Sequence, residues 1–263
     1  MIGFNYLGKL GRLGNQMFQY AATKGISAHR GYDYCIPNHN EIFDDGSGNK
    51  LRIEIFNPFN LDVKCEQVKG KSVGERGFHF DELLFNECPD NTNLVGFFQS
   101  EKYFKHIESE IRKDFTFKDD IVDDCKEVVE ELLNGNPIAL HIRRTDYLIN
   151  PNHYALDLEY YEEALSKFDS NREVVIFTDD PLWVSKQKLF ETDRFLLGEN
   201  IDSYHDLYLM TQCSDFIIAN STFSWWGAWL ANTGKVIAPS KWFGPKNYDL
   251  DTKDLYPKHW EIL

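Results

Sequence analysis

Short apolar runs recur along the second half of the chain, each bounded by turn residues. They fall at 138–142, 173–178, 194–197, 216–219 and 235–238. Runs of this length, apolar throughout rather than alternating, predict strands buried on both faces. Helical spacing of apolar positions fills the intervals: 158–168 after Asp157, 181–190 after Asp180 with Pro181 in the first turn, 203–213 opening S-x-x-D, and a last helix from Ser221 or Thr222 to 230. Asp, Ser and Thr before such runs are N-cap signals, and proline is tolerated at the first helical position. Strands alternating with helices predict a parallel sheet covered on both faces.

The first half is less regular. A strand is predicted at 2–7, then a glycine-punctuated loop (Gly8, Gly11, Gly14), then a helix over 15–30 closed by Gly31. A second strand is predicted at 32–36, a third at 94–98, a helix from Ser100 to about 113, and another over 121–133. Residues 37–93 show only short aromatic patches between polar turns. They predict irregular structure with short helices and a large part of any acceptor-binding surface, since long connections tend to carry binding. Asn134-Gly135 stops the helix before the regular half, which sets a domain boundary there: 1–134 and 135–263.

Composition changes this picture in a few places. The chain has 263 residues, enough for one large domain or two small ones, and a net charge of −14. That balance argues against a nucleic-acid partner, which calls for a basic face. Five cysteines without a C-x-x-C pair argue against a zinc site or a disulfide framework and for a reducing compartment. No apolar run approaches the ~20 residues that span a bilayer, and the N-terminus lacks a signal-peptide pattern. The expected location is cytoplasmic, and the acidic charge mildly disfavours peripheral attachment to a membrane.

The polar clusters follow predicted strands, where ligands bind in open parallel sheets. His141, Arg143, Arg144 and Asp146 follow the 138–142 strand; Asp179 and Asp180 follow 173–178; Asn220, Ser221, Thr222 and Phe223 follow 216–219 and open a helix. Guanidinium forks suit phosphate oxygens, and a helix N-terminus offers free N–H groups to an anion. Asp179 can accept from N1–H and the exocyclic amine of guanine. The plainer alternatives stay open: arginines paired with nearby acids, Asp179, Asp180, Ser221 or Thr222 as helix caps, and Trp225, Trp226 and Trp229 as core. Asp146 is either a general base or an orienting partner for an arginine. Asp249-x-Asp251 matches a metal-binding D-x-D but has no clear preceding strand, so no metal is expected.

Three strings carry a family resemblance: G-R-L-G-N-Q-M-F-Q-Y at 11–20, H-I-R-R-T-D-Y at 141–147 and N-S-T-F-S-W-W-G-A-W-L at 220–230. In this order they resemble the bacterial-type α-1,2-fucosyltransferases. The resemblance spans most of the chain, although none of its three strings falls in 37–93 and the chain is compact for the family. It implies a GT-B-like α/β fold of two Rossmann-like domains facing a cleft. It further implies an N-terminal acceptor-side domain and a C-terminal domain holding the GDP-sugar. The implied reaction moves fucose from GDP-fucose to a galactose hydroxyl, with inversion and without an obligatory metal or other cofactor. The acceptor would be a galactose-containing oligosaccharide or a lipid-linked glycan. Arg143 corresponds to the arginine on the β-phosphate, His141 to a histidine near the nucleotide, and Asn15, flanked by Gly14 and Gln16, to a loop asparagine reaching the donor. Ser221, Thr222 and Phe223 correspond to the phosphate-binding helix start, joined by Asn220 and Arg144 as donor contacts. Asp179 is the guanine ligand by analogy with protein-fucosylating enzymes. Two other classes compete: a non-catalytic GDP-sugar or glycan binder on the same fold, and a transferase for another GDP-sugar.

Overall fold

The computed structural model describes residues 1–44, 50–198 and 202–263, the side chains of 133 and 134 excepted. The chain forms two compact units, Met1–Lys118 with Leu250–Pro257, and Asp119–Asp249 with Lys258–Leu263. The second unit thus begins at Asp119, ahead of the boundary expected at 134/135.

The first unit contains β1 (Ile2–Gly3), α1 (Leu13–Arg30), β2 (Tyr34–Ile36), β3 (Phe43–Asp44), β4 (Lys50–Leu51), β5 (Lys64–Cys65), β6 (Lys71–Gly74), α2 (Glu82–Glu87), β7 (Thr92–Val95) and α3 (Glu108–Asp114). Five strands form a parallel sheet in the order β5-β2-β1-β7-β6, and β3–β4 pair antiparallel. The strand predicted at 2–7 stops at Gly3. Beyond it the Asn5 side chain replaces backbone pairing, donating to the Val68 carbonyl (2.9 Å) and accepting from its N–H (3.0 Å). Helix α1 starts two positions earlier than predicted because a distant residue caps it: Glu54 accepts from the Leu13 N–H at 2.9 Å. Gly31 ends it at φ 71°, returning its N–H to Ala28 and Ser27. The helix predicted from Ser100 breaks into two 3₁₀ turns and α3. There the backbone of Tyr103 passes so close to α1 that a Cβ on Gly25 would fall 2.1 Å from its carbonyl oxygen.

The second unit contains α4 (Asp119–Asp124), α5 (Lys126–Gly135), β8 (Ile138–Ile142), α6 (Leu158–Leu165), β9 (Val174–Thr178), α7 (Pro181–Val184), β10 (Phe195–Leu197), α8 (Ser203–Thr211), β11 (Asp215–Ile217), α9 (Thr222–Ala231), β12 (Val236–Ala238) and β13 (Glu261–Ile262). Its six strands are parallel in the order β10-β9-β8-β11-β12-β13. β8 and β9 lie inside the sheet with every residue buried, which is why both read as unbroken apolar runs. The helix predicted over 121–133 is interrupted at Cys125, and the one predicted over 181–190 ends at Val184. Helix α8 is capped by Asp202, which accepts from the N–H groups of Tyr204 (2.7 Å) and His205 (3.1 Å), rather than by Ser203. Trp225, Trp226 and Trp229 are core, at most 3% exposed. No helix among the described residues is long and apolar enough to cross a membrane.

Candidate active site

The carboxyl ends of β8, β9 and β11 bring most of the predicted residues together. β8 delivers His141 inside and Arg143 and Arg144 at its tip. The Arg143 guanidinium donates to Asp146 Oδ1 (2.6 Å) and pairs with Asp179 Oδ2 (2.9 Å), and its carbon lies 5.4 Å from the centre of the Tyr147 ring. Asp146 thus makes the contact that orienting Arg143 requires. Arg144 stacks on Trp183 at 3.9 Å, within cation–π range, with Asp180 3.5 Å from its Nε.

Asp179 stands differently from expectation. Its Oδ1 accepts the Arg144 backbone N–H (2.9 Å), and its Oδ2 accepts the Thr145 hydroxyl (2.5 Å) besides Arg143. These three bonds make the carboxylate a latch from β9 onto the turn after β8 and leave one of its roughly four lone-pair positions without a protein partner. Asp180 is a helix cap, accepting from the Trp183 N–H at 3.1 Å.

His141 is 6% exposed, its Nδ1 2.8 Å from Ser224 Oγ and its ring 5.6 Å from that of Phe223. Burial first, then the Arg143 charge, push its pKa down to about 3, so the ring is neutral. Ser221 caps α9 by accepting from the Phe223 N–H (3.4 Å), which leaves Thr222 as the first helical residue. Asn220 is 2% exposed and donates to the carbonyls of Tyr154 (2.8 Å) and Trp242 (3.0 Å), so it fastens two loops rather than facing outward. The Tyr147 hydroxyl donates to the Asn220 carbonyl (3.1 Å), tying the β8 turn to the α9 start. Through Tyr147 a guanidinium and a helix N-terminus are connected in one unit, and both are groups that stabilise phosphate oxygens.

In the first unit, Gln16 is fully buried. Its amide donates to the Gly11 (3.1 Å) and Arg52 (2.8 Å) carbonyls and accepts from the N–H groups of Glu54 (2.8 Å) and Ile55 (3.2 Å). The donor contact expected of it is corrected to a structural fastening. Gly14 is likewise buried inside α1. Asn15 is partly exposed and accepts from Gln99 at 2.9 Å. Sequence reasoning missed Gln99, Glu54 and Glu75, because each acts on a residue far along the chain. Ser224 could have been found, since it lies one helical turn inside the predicted cap. Among the described residues no group of three or more His, Cys, Asp or Glu side chains could hold a metal ion.

Two units, each built on a parallel sheet with helices, have the architecture of a GT-B-like glycosyltransferase fold. The sequence pattern of Glycosyl transferase family 11 matches residues 2–263, and the chain belongs to that family. It is 29% identical to an alpha-1,2-colitosyltransferase of Escherichia coli, over 95% of this chain and 95% of that protein. It is 25% identical to the human galactoside alpha-(1,2)-fucosyltransferase 1, over 84% of this chain and 64% of the longer human protein. A crystal structure of POFUT1 in complex with GDP-fucose shares the fold, with a TM-score of 0.56 at 14% identity, covering 90% of this chain and 97% of that one.

Proposed function

We propose that this chain transfers L-fucose from GDP-β-L-fucose to the 2-hydroxyl of a galactose-containing glycan, with inversion to an α-1,2 linkage and without an obligatory metal. The observation that carries the reading is Arg143, fixed by two carboxylates and connected through Tyr147 to the α9 start. In the reaction the bond from fucose C1 to the β-phosphate oxygen breaks, the acceptor oxygen bonds to C1 from the opposite face, and the hydroxyl proton leaves to solvent or a base. Negative charge grows on the departing phosphate, where pre-placed donors stabilise the transition state most. Arg143 and the N–H of Thr222, the first residue of α9, supply those donors, Arg144 supports the nucleotide, and Asn15 contacts the donor. Neutral His141 packs near the nucleotide without adding charge.

On this reading the acceptor binds the first unit. A cavity of about 490 Å³ there is lined by residues including His79, Phe80, Asp81 and Asp254. Its Asp81 is paired with Arg76 and its Asp254 with Lys102. Paired charges beside an aromatic ring suit a polar, uncharged glycan, with Glu82 in the same lining as a further hydrogen-bond acceptor. With a lipid-linked acceptor the enzyme would work at the inner membrane face. The colitosyl relative favours a second reading, in which the reaction is kept and another GDP-sugar is the donor.

The test is steady-state turnover of GDP-fucose, against other GDP-sugars, with galactose-ending acceptors, on wild type, Arg143→Lys and Arg143→Ala. Both variants should lose kcat by ~10²–10³ with circular dichroism unchanged. A lysine variant within a few-fold of wild type rejects the two-oxygen contact. GDP binding without turnover of any GDP-sugar would leave a non-catalytic binder. Calorimetry of GDP in excess chelator tests metal independence; binding that appears only with added Mg²⁺ or Mn²⁺ would overturn it.

A further inference from the structure

Three separated segments converge on the Asn15 amide. Gly11 holds φ +106°, and a Cβ there would fall 2.1 Å from Asn15 Nδ2, so the side chain folds into space that only glycine leaves. Gln99 donates its Nε2–H to Asn15 Oδ1 at 2.9 Å. Gln99 is 6% exposed, and its own Oε1 is buried with no hydrogen-bond partner. Such an orphaned acceptor is rare in folded proteins and costs stability. The turn that delivers Gln99 is also strained. Phe98 sits at φ +53°, where a bulky residue is unusual. Glu75, next after β6, holds the turn by accepting the N–H groups of Phe97 (2.6 Å) and Phe98 (3.1 Å). Asn15 Nδ2 has no hydrogen-bond partner among the described residues, and Asn15 is partly exposed.

We propose that Gln99 is a positioning residue for Asn15. Its amide holds Asn15 Oδ1 and so fixes the side chain's orientation, with the two Nδ2 hydrogens left for the phosphate or sugar oxygens of the donor. Glu75 secures the turn from which Gln99 acts. The proposal rests on the reading of Asn15 as a donor contact. It explains why a strained turn and an unpaired buried acceptor persist at the carboxyl end of β7, where a plain loop would serve the fold.

The test is a double-mutant cycle of Asn15→Ala and Gln99→Leu, read both as kcat/KM for GDP-fucose and as GDP-fucose affinity by calorimetry, which needs no turnover. Leucine removes the orphaned Oε1 along with the hydrogen bond, so folding should be spared, and thermal unfolding checks this. The expected result is a 10- to 100-fold loss for Gln99→Leu with acceptor KM unchanged, and less than a two-fold further loss when it is added to Asn15→Ala. Gln99→Glu, which cannot donate to Oδ1, should be at least as impaired as Gln99→Leu. If Asn15→Ala is impaired and the two losses multiply, Asn15 keeps its role and the positioning role of Gln99 is overturned. If Asn15→Ala behaves as wild type, the donor contact itself fails and this proposal with it.

Discussion

The buried imidazole at the end of β8 gives a quantitative prediction. His141 has an ordinary pKa of ~6.5 when unfolded and about 3 in the fold, where burial and then Arg143 disfavour the cation. Between these values the unfolded chain binds a proton that the folded chain refuses. Its contribution to stability is therefore whole above ~6.5 and is lost as pH falls, at up to ~1.36 kcal/mol per pH unit. At pH 5 the loss amounts to ~2 kcal/mol, and any folded value below about 4 gives the same figure. The perturbation is His141→Asn, which keeps a polar atom near Ser224 Oγ but does not titrate. Wild type alone would not show the effect cleanly. Burial raises Glu75 and Asp206 to about 7, and their contributions run the other way, present below the ordinary carboxylate range and lost as pH rises toward 7. Those terms cancel in the difference between wild type and variant, as does any constant cost of the substitution. All six tryptophans lie in the second unit, so tryptophan emission during urea unfolding reports on the unit that holds His141. The advantage of wild type over His141→Asn should be ~2 kcal/mol smaller at pH 5 than at pH 8. A difference that does not change with pH would show that His141 titrates normally in the fold, and the account of its burial would fall.

Two further predictions concern residues whose structural role differs from their expected one. Asp179→Asn should weaken GDP and ADP by the same factor, about 10- to 100-fold for ~1.5–3 kcal/mol, because the β8 turn loses its latch; calorimetry showing a selective loss of GDP would restore the guanine contact. Gln16→Leu leaves four backbone groups in the first unit without partners and should cost at least about 3 kcal/mol, measured by calorimetric unfolding; a loss under about 1 kcal/mol would mean that water or rearrangement replaces those bonds.

Which parts could be read from the chain follows from how local their causes are. β8 and β9 were legible because burial on both faces demands apolar runs, and the caps Asp157 and Asp180 because cap and helix are adjacent. β5 and β6 were not, since K-C and K-S-V-G are largely exposed and carry no apolar run. The early start of α1 depends on Glu54, 41 residues from Leu13, and the hold on Asn15 depends on Gln99, 84 residues away. No periodicity or cap rule reaches that far. The strand-tip cluster could be located because a parallel sheet gathers its loops at one edge. The division of labour within it could not, because Asp146 and Asp179 offer the same chemistry and differ only in what they touch.

That division bears on why the strand tip carries arginine. Two carboxylates hold Arg143 in a chain with a net charge of −14, which at first sight should repel a nucleotide diphosphate. A guanidinium has five N–H donors in a fixed plane, and Asp146 and Asp179 engage only its two terminal nitrogens. The remaining N–H groups keep their direction because the carboxylates fix the plane. An oxyanion presenting two oxygens to that edge gains directed bonds, while a diffuse anion gains little from a charge already offset. An ammonium placed between the same two acids would be equally neutralised but free to swing, with no fixed edge left over. On the proposed reaction, the balance that weakens Arg143 as a general anion trap therefore preserves it as a geometric one. Its gain grows as charge gathers on the leaving phosphate, and the damage from Arg143→Lys should accordingly fall on kcat more than on GDP affinity.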